Sequence, residues 1–249
     1  MTGYPYRLTG PIGMRTMGLI VLQVDETIEQ DFRRLLPPDV ALYVSRVPSG
    51  AELTPETIAS MEAHLPAAAA LLPPAASFDV VAYACTSGTA LIGPERVAGL
   101  VNGACSTAAV TDPLTASIAA LRALRAERVA LVSPYIETVA DPIRRAFEGA
   151  GLKVPATLSF GEEVEARVAR IDPDSIRDAA REAGRAEDVD AVFLSCTNMR
   201  TLDVIDDLEA ELAMPVVSSN LALAWHMACA AGAPAWSSAP GRLFSCPDE

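Results

Sequence analysis

Cys85 and Cys196 stand in matching surroundings. The run Phe78-Asp79-Val80-Val81-Ala82-Tyr83 leads into Ala84-Cys85, and Val189-Asp190-Ala191-Val192-Phe193-Leu194 leads into Ser195-Cys196. A threonine and a second small polar residue follow each: Thr86 and Ser87, then Gly88, in one case, Thr197 and Asn198 in the other. A thiol can attack carbon as a nucleophile or carry a proton to and from it. The hydroxyls, the amide and the backbone N–H groups after each cysteine are suited to holding a carboxylate. The same N–H groups are expected to lower a thiol pKa toward thiolate. Taken singly, either cysteine also reads as a small buried hydrophobe; the pairing is what favours chemistry.

Little else in the chain competes for that role. The only histidines, His64 and His226, are unpaired at ligand spacing, so neither a metal site nor a Cys–His or Ser–His–Asp machine is expected. His226, in Ala-Trp-His-Met, reads as a packed helix residue. Cys105 follows a loop, Cys229 lies in an alanine-rich helix and Cys246 in the tail, and all three read as structural. No Cys-x-x-Cys occurs and the cysteine count of five is odd, which favours reduced thiols in a cytoplasm. The net charge of −13 argues against nucleic acid and against anionic membrane surfaces. No apolar run reaches membrane-spanning length, and Met1–Gly10 lacks the apolar core of a secretory signal, reading instead as a loose arm.

The elements that must position the thiols alternate. Strand-like apolar runs cover 17–24, 40–47, 79–84, 107–111, 128–133, 153–159, 191–195 and 215–218. Helix-like segments cover 26–36, 55–72, 94–102, 114–125, 136–150, 173–183, 202–212 and 221–231. Thr54-Pro55-Glu56 and Asp172-Pro173-Asp174 are helix starts. This order predicts an α/β protein with parallel sheets. It also repeats: Glu26-Thr27-Ile28, Arg33-Arg34 and Cys85-Thr86 recur 111 positions on as Glu137-Thr138-Val139, Arg144-Arg145 and Cys196-Thr197, and Val110-Thr111-Asp112 is echoed by Ser218-Ser219-Asn220. Matches at one offset predict two similar halves, 1–112 with a C-terminal return of 220–249, and 113–219. Functional groups gather beyond the carboxyl ends of parallel strands. If a pseudo-twofold axis relates the halves, both thiols meet in the cleft between them.

The motifs Tyr83-Ala84-Cys85-Thr86-Ser87-Gly88-Thr89, Ser195-Cys196-Thr197-Asn198-Met199-Arg200-Thr201 and Ser133-Pro134-Tyr135 resemble the aspartate/glutamate racemase superfamily, in its maleate cis–trans isomerase and arylmalonate decarboxylase branch. The resemblance covers roughly 17–232. It implies two pseudo-symmetric α/β halves, no metal and no organic cofactor, Cys85 and Cys196 as the catalytic pair, Tyr135 over the substrate, and a homo-oligomer. The chain departs from the maleate isomerases where their first strand runs into an asparagine that grips a substrate carboxylate: here Asp25 stands in Leu22-Gln23-Val24-Asp25-Glu26-Thr27. A second family asparagine falls near Gly161-Glu162-Glu163-Val164-Glu165, again acidic. Asp25 reads either as a cap of the following helix or as a cap that also touches ligand. Leu22–Glu29, with Tyr43-Val44-Ser45-Arg46-Val47-Pro48, resembles the ectoine-utilisation branch, which implies a substrate with a carboxylate and a cationic or amide nitrogen.

Two mechanisms fit. A racemase would use one thiolate to remove a proton α to a carboxylate while the other thiol delivers one on the opposite face. A cis–trans isomerase would add Cys85 to an activated double bond, allow rotation and release it. Asp25, Thr86, Ser87, Tyr135, Thr197 and Asn198 are the expected substrate contacts, and the expected partner is a small-molecule carboxylate. Decarboxylation is disfavoured, because that reading of the family uses a single cysteine with glycine at the position of Cys85. A metabolite-binding protein without catalysis, and a Cys85–Cys196 disulfide, are the remaining alternatives.

Overall fold

The computed structural model describes residues 3–10, 12–52, 54–233 and 236–246. The chain forms β1 (Arg15–Leu22), α1 (Ile28–Leu35), β2 (Val40–Val47), α2 (Pro55–Ala69), β3 (Val80–Ala84), α3 (Thr86–Ile92), α4 (Pro94–Asn102) and β4 (Val110–Thr111). It continues with α5 (Pro113–Ala123), β5 (Arg128–Ser133), α6 (Glu137–Gly149), β6 (Lys153–Ser159), α7 (Glu165–Val168), α8 (Pro173–Gly184), β7 (Ala191–Leu194), α9 (Leu202–Leu212), β8 (Val216–Ser218) and α10 (Ser219–Ala231). The strands make two parallel four-stranded sheets in the orders β2-β1-β3-β4 and β6-β5-β7-β8. Position for position this is one topology used twice, as the repeat predicts.

Helices cover both faces of the inner strands, so β3 and β7 are buried throughout and read as apolar runs. Edge strand β6 instead alternates exposed with half-buried residues. Leu19, Ile20, Val129 and Leu131 have no exposed surface, and each buried aliphatic side chain of this size contributes about 1.5–3 kcal/mol. Helix α10 packs on β1, β3 and α5.

Several boundaries differ from those read in the sequence, each for a local reason. β1 ends at Leu22 and α1 begins at Ile28 because the Asp25 carboxylate accepts the Thr27 and Ile28 N–H groups and turns the chain. Helix α10 begins at Ser219, capped by the Ser218 hydroxyl, which accepts the Leu221 N–H. β4 is two residues long. Two helices were not expected, α3 and the single turn α7. The C-terminal arm docks over 236–246 on its own chain. Trp236 Nε1 donates to the Arg34 carbonyl, the Gly241 N–H donates to Asp206, and Leu243 and Phe244 are buried. The rest of that arm, Pro234, Ala235 and 247–249, and the N-terminal Met1 and Thr2 lie outside the described residues. Residues 3–10 carry no regular structure and are exposed. Among the described residues, no helix is long and apolar enough to cross a membrane.

Candidate active site

Cys85 leaves β3 with extended backbone and becomes the N-cap of α3. Its Sγ accepts the Gly88 N–H at 3.1 Å and lies 3.6 Å from the Ser87 hydroxyl. A thiol thus does what Ser, Thr or Asp usually does at a helix start. Gly88 is required there: a Cβ at that position would come within 2.5 Å of the Tyr83 hydroxyl and 2.9 Å of Cys85 Sγ. The Tyr83 phenol, fully buried, sits beside the Cys85 thiol and donates to Met61 Sδ.

Cys196 follows β7 through Ser195 and adopts φ +124°. The other non-glycine residues of positive φ among the described residues have values of 56–61°, within the ordinary left-handed well; Cys196 is well outside it. Its Sγ accepts the Asn198 N–H at 3.4 Å. Tyr135, buried just beyond β5, has its hydroxyl beside the Cys196 thiol and within electrostatic reach of Cys85.

Hydrogen bonds tie the two cysteine loops together across the halves. The Thr86 and Ser219 hydroxyls are 2.9 Å apart, and the Ser219 hydroxyl accepts the Cys196 N–H at 3.0 Å. The Thr197 hydroxyl donates to the Ala84 carbonyl, next to Cys85, at 3.4 Å. Asn198 is the hub: its Oδ1 accepts the Glu26 N–H at 2.9 Å and its Nδ2 donates to Glu165 Oε1 at 2.9 Å. All the residues singled out in the sequence therefore lie in one cluster. Thr86 and Thr197 spend their hydroxyls within it.

Two carboxyl groups border the thiols. Asp25 uses Oδ1 to accept the Thr27 and Ile28 N–H groups at 2.8 and 2.9 Å, whereas its buried Oδ2 has no hydrogen-bond partner. The Thr197 hydroxyl lies near enough to lower the Asp25 pKa without closing a bond of normal geometry. Arg46 clamps the turn from behind, donating to the carbonyls of Leu22, Gln23 and Asp25. Glu165 is the buried member of the acidic stretch 161–165. Its N–H donates to the Ala51 carbonyl, so it also stitches the halves together.

Burial sets the protonation of the site. Cys85 is pushed up to about 11 by burial, against the Ser87 hydroxyl and the Gly88 N–H, which pull it down. Burial raises Cys196 as well, with the Glu165 charge adding to it. The flanking N–H groups of Gly88 and Asn198 do pull the thiols down, as expected, but desolvation outweighs them and the net shift is upward. Burial also raises Asp25, and raises Glu165 to about 7 against the Asn198 amide. The two thiols are 3% and 4% exposed, so a substrate must enter by an opening of the cleft.

The remaining candidates fall elsewhere. His226 is half-buried on α10 with Nδ1 2.7 Å from the Thr111 hydroxyl, a packed helix residue as expected. Cys105 and Cys246 bond nearby carbonyls, and Cys85 and Cys196 are free thiols, not a disulfide. No group of three His, Cys, Asp or Glu suited to a metal occurs among the described residues. Residue-level reading missed Tyr83, Ser219 and Asn220, and it reached Glu165 only as part of a stretch. The echo of Val110-Thr111-Asp112 in Ser218-Ser219-Asn220 was the available signal for two of them.

Known proteins share this fold. Residues 50–244 match the family described as arylmalonate decarboxylase. The maleate isomerase of Nocardia farcinica is 28% identical over 94% of this chain and 96% of its own. The arylmalonate decarboxylase of Bordetella bronchiseptica is 36% identical over 54% of this chain and 57% of its own. Among solved structures, a cysteine-to-serine mutant of the Nocardia farcinica maleate cis–trans isomerase, carrying a covalently bound succinylcysteine intermediate, superposes with a TM-score of 0.82 at 26% identity over 92% of this chain and 98% of that one. With two repeated parallel sheets and a match spanning most of its length, the chain is an enzyme of the arylmalonate decarboxylase family.

Proposed function

We propose that the protein is a cofactor-independent racemase or isomerase that moves a proton α to the carboxylate of a small, nitrogen-bearing acid. Cys85 is the thiol that ionises first. Its sulfur accepts the shorter N–H bond, 3.1 Å against 3.4 Å for Cys196. The Cys85 thiolate takes the α proton, and Cys196 returns its own from the opposite face, so the product differs from the substrate only in configuration. The Tyr135 hydroxyl donates to the oxygen that gains charge in the enediolate-like intermediate.

The observation that carries the choice of substrate is the pair of buried carboxyls, Asp25 and Glu165, beside the thiols. A dianion entering between ionised carboxylates at about 5 Å, with an effective dielectric near 20, meets roughly 3 kcal/mol of repulsion per charge pair. That weakens binding by roughly two orders of magnitude. An ammonium or protonated ring nitrogen gains similarly, less its desolvation, and favours the ionised form of both carboxyls, which burial alone disfavours. The ectoine-like motifs around Asp25 and Tyr43–Pro48 agree with a diamino acid.

A second reading is favoured by the similarity to maleate isomerases over 94% of the chain. There Cys85 adds to the maleate double bond while Cys196 protonates the adjacent carbon; rotation and reversal release fumarate. The same carboxyls can serve it when neutral, because a protonated carboxyl donates to a carboxylate much as an asparagine amide does.

The two readings differ in their pH dependence. Calorimetric titration with maleate and with 2,4-diaminobutyrate, at pH 6 and pH 8, separates them. Tighter diaminobutyrate binding at pH 8 than at pH 6, weakened in Asp25→Asn and Glu165→Gln, supports the nitrogen-bearing substrate. Tight maleate binding that strengthens at pH 6 overturns it in favour of maleate.

A further inference from the structure

We infer that Thr27, Ser219 and Asn220 are positioning residues that together hold the Cys196 loop in its uncommon backbone conformation. The inference rests on Cys196 acting in the chemistry. Three consecutive residues of the loop each give one backbone group to a side chain from α10 or from the turn before α1. The Cys196 N–H donates to the Ser219 hydroxyl at 3.0 Å, the Thr197 carbonyl accepts from Asn220 Nδ2 at 2.8 Å, and the Asn198 carbonyl accepts from the Thr27 hydroxyl at 2.8 Å.

The orientation of Asn220 is fixed by its partners. Its Nδ2 also donates to Asp31 Oδ2 at 2.7 Å, and two acceptors can be met only by the amide NH₂. All three side chains and Asp31 are buried, so water does not substitute for them. A non-glycine residue at φ +124° persists only where its surroundings over-determine it, and these three bonds supply that determination. The loop gains an aimed thiol: the backbone turns so that Cys196 Sγ accepts the Asn198 N–H and stands beside the Tyr135 hydroxyl. Cys85 needs no such cradle, since its own half caps it through Gly88.

The test reads the thiols directly and requires no substrate. Wild type, Ser219→Ala, Thr27→Val and Thr27→Ser are treated with iodoacetamide, and the rate at each cysteine is followed by peptide mass spectrometry alongside the melting temperature. Ser219→Ala and Thr27→Val are expected to speed alkylation of Cys196 by at least about tenfold while changing Cys85 by less than about threefold. Thr27→Ser, which keeps the hydroxyl, is expected to restore the wild-type ratio. Equal acceleration at both cysteines, tracking a lowered melting temperature, would mean general loosening and overturn the inference. So would an unchanged Cys196 rate in both Ser219→Ala and Thr27→Val. A protein inactive on every acid tried would count against the proposed function and leave the alkylation ratio as informative as before.

Discussion

Burial opposes the ionisation that the proposed proton transfer asks of Cys85, and the Ser87 hydroxyl and the Gly88 N–H offset part of that cost. Cys85→Ala and Cys196→Ala are each expected to lower turnover by at least about 10³-fold with the fold intact, as for groups that act as a unit. Steady-state kinetics with circular dichroism of both variants checks this; full activity in either would remove that thiol from the mechanism. Tyr135→Phe should cost about 1.5–3 kcal/mol of transition-state stabilisation, the range for a hydrogen bond to a charged group. An unchanged kcat/KM would make Tyr135 a core residue. At this scale the clustering was legible: Cys85, Cys196, Asn198 and Asp25 stand out by type and by what they follow, Tyr135 by the family resemblance, and the fold brings them together. Glu165 did not. Glu162, Glu163 and Glu165 are chemically alike in sequence, and only the start of α7 decides which of them turns inward.

Among the elements, α3 and the single turn α7 are the two the sequence concealed, and α3 the more consequential. Thr-Ser-Gly-Thr after a strand reads as a loop, because its helix start relies on a cysteine sulfur as cap and on a glycine admitted for contact rather than for turning. Gly88→Ala tests that reading. The added methyl meets the Tyr83 hydroxyl and Cys85 Sγ inside a close-packed site, and overpacking of this kind costs about 1–3 kcal/mol. Denaturant unfolding should show the loss, and Cys85 reactivity should change with it; a stability equal to wild type would mean that α3 is free to shift. Helix 202–212 and strands 40–47 and 153–159 were legible to the residue, since apolar periodicity and flanking turn residues agree there.

For the molecule as a whole, the 111-residue offset carried the architecture, because equal spacing of equivalent strands requires equal topology in the two sheets. What the offset could not carry is how much charge the closed cleft buries. Burial pushes Asp31 and Glu165 up to about 7, and raises Asp25 and Asp112 in the same direction. The folded chain keeps protons that the unfolded chain releases near the ordinary carboxyl values of about 4. Stability from Asp31 and Glu165 is therefore greatest at low pH, falls as pH rises between about 4 and 7, and is level above that, and Asp25 and Asp112 add in the same direction. Exposed carboxylates such as Asp141, held down by Arg144, titrate below that window. Melting temperatures across pH 5–8 should decline in the wild type and decline less in Asp31→Asn and Glu165→Gln; identical slopes would contradict the burial of these acids. The central claim is paired-thiol proton transfer on a nitrogen-bearing acid, and proton NMR in deuterium oxide at pH 8 tests it most directly, with wild type, Cys85→Ala and Cys196→Ala each given 2,4-diaminobutyrate or maleate. The account predicts deuterium at the α carbon of diaminobutyrate with wild type alone and an unchanged maleate alkene signal, whereas exchange surviving in both variants, or loss of the alkene signal with wild type, would contradict it.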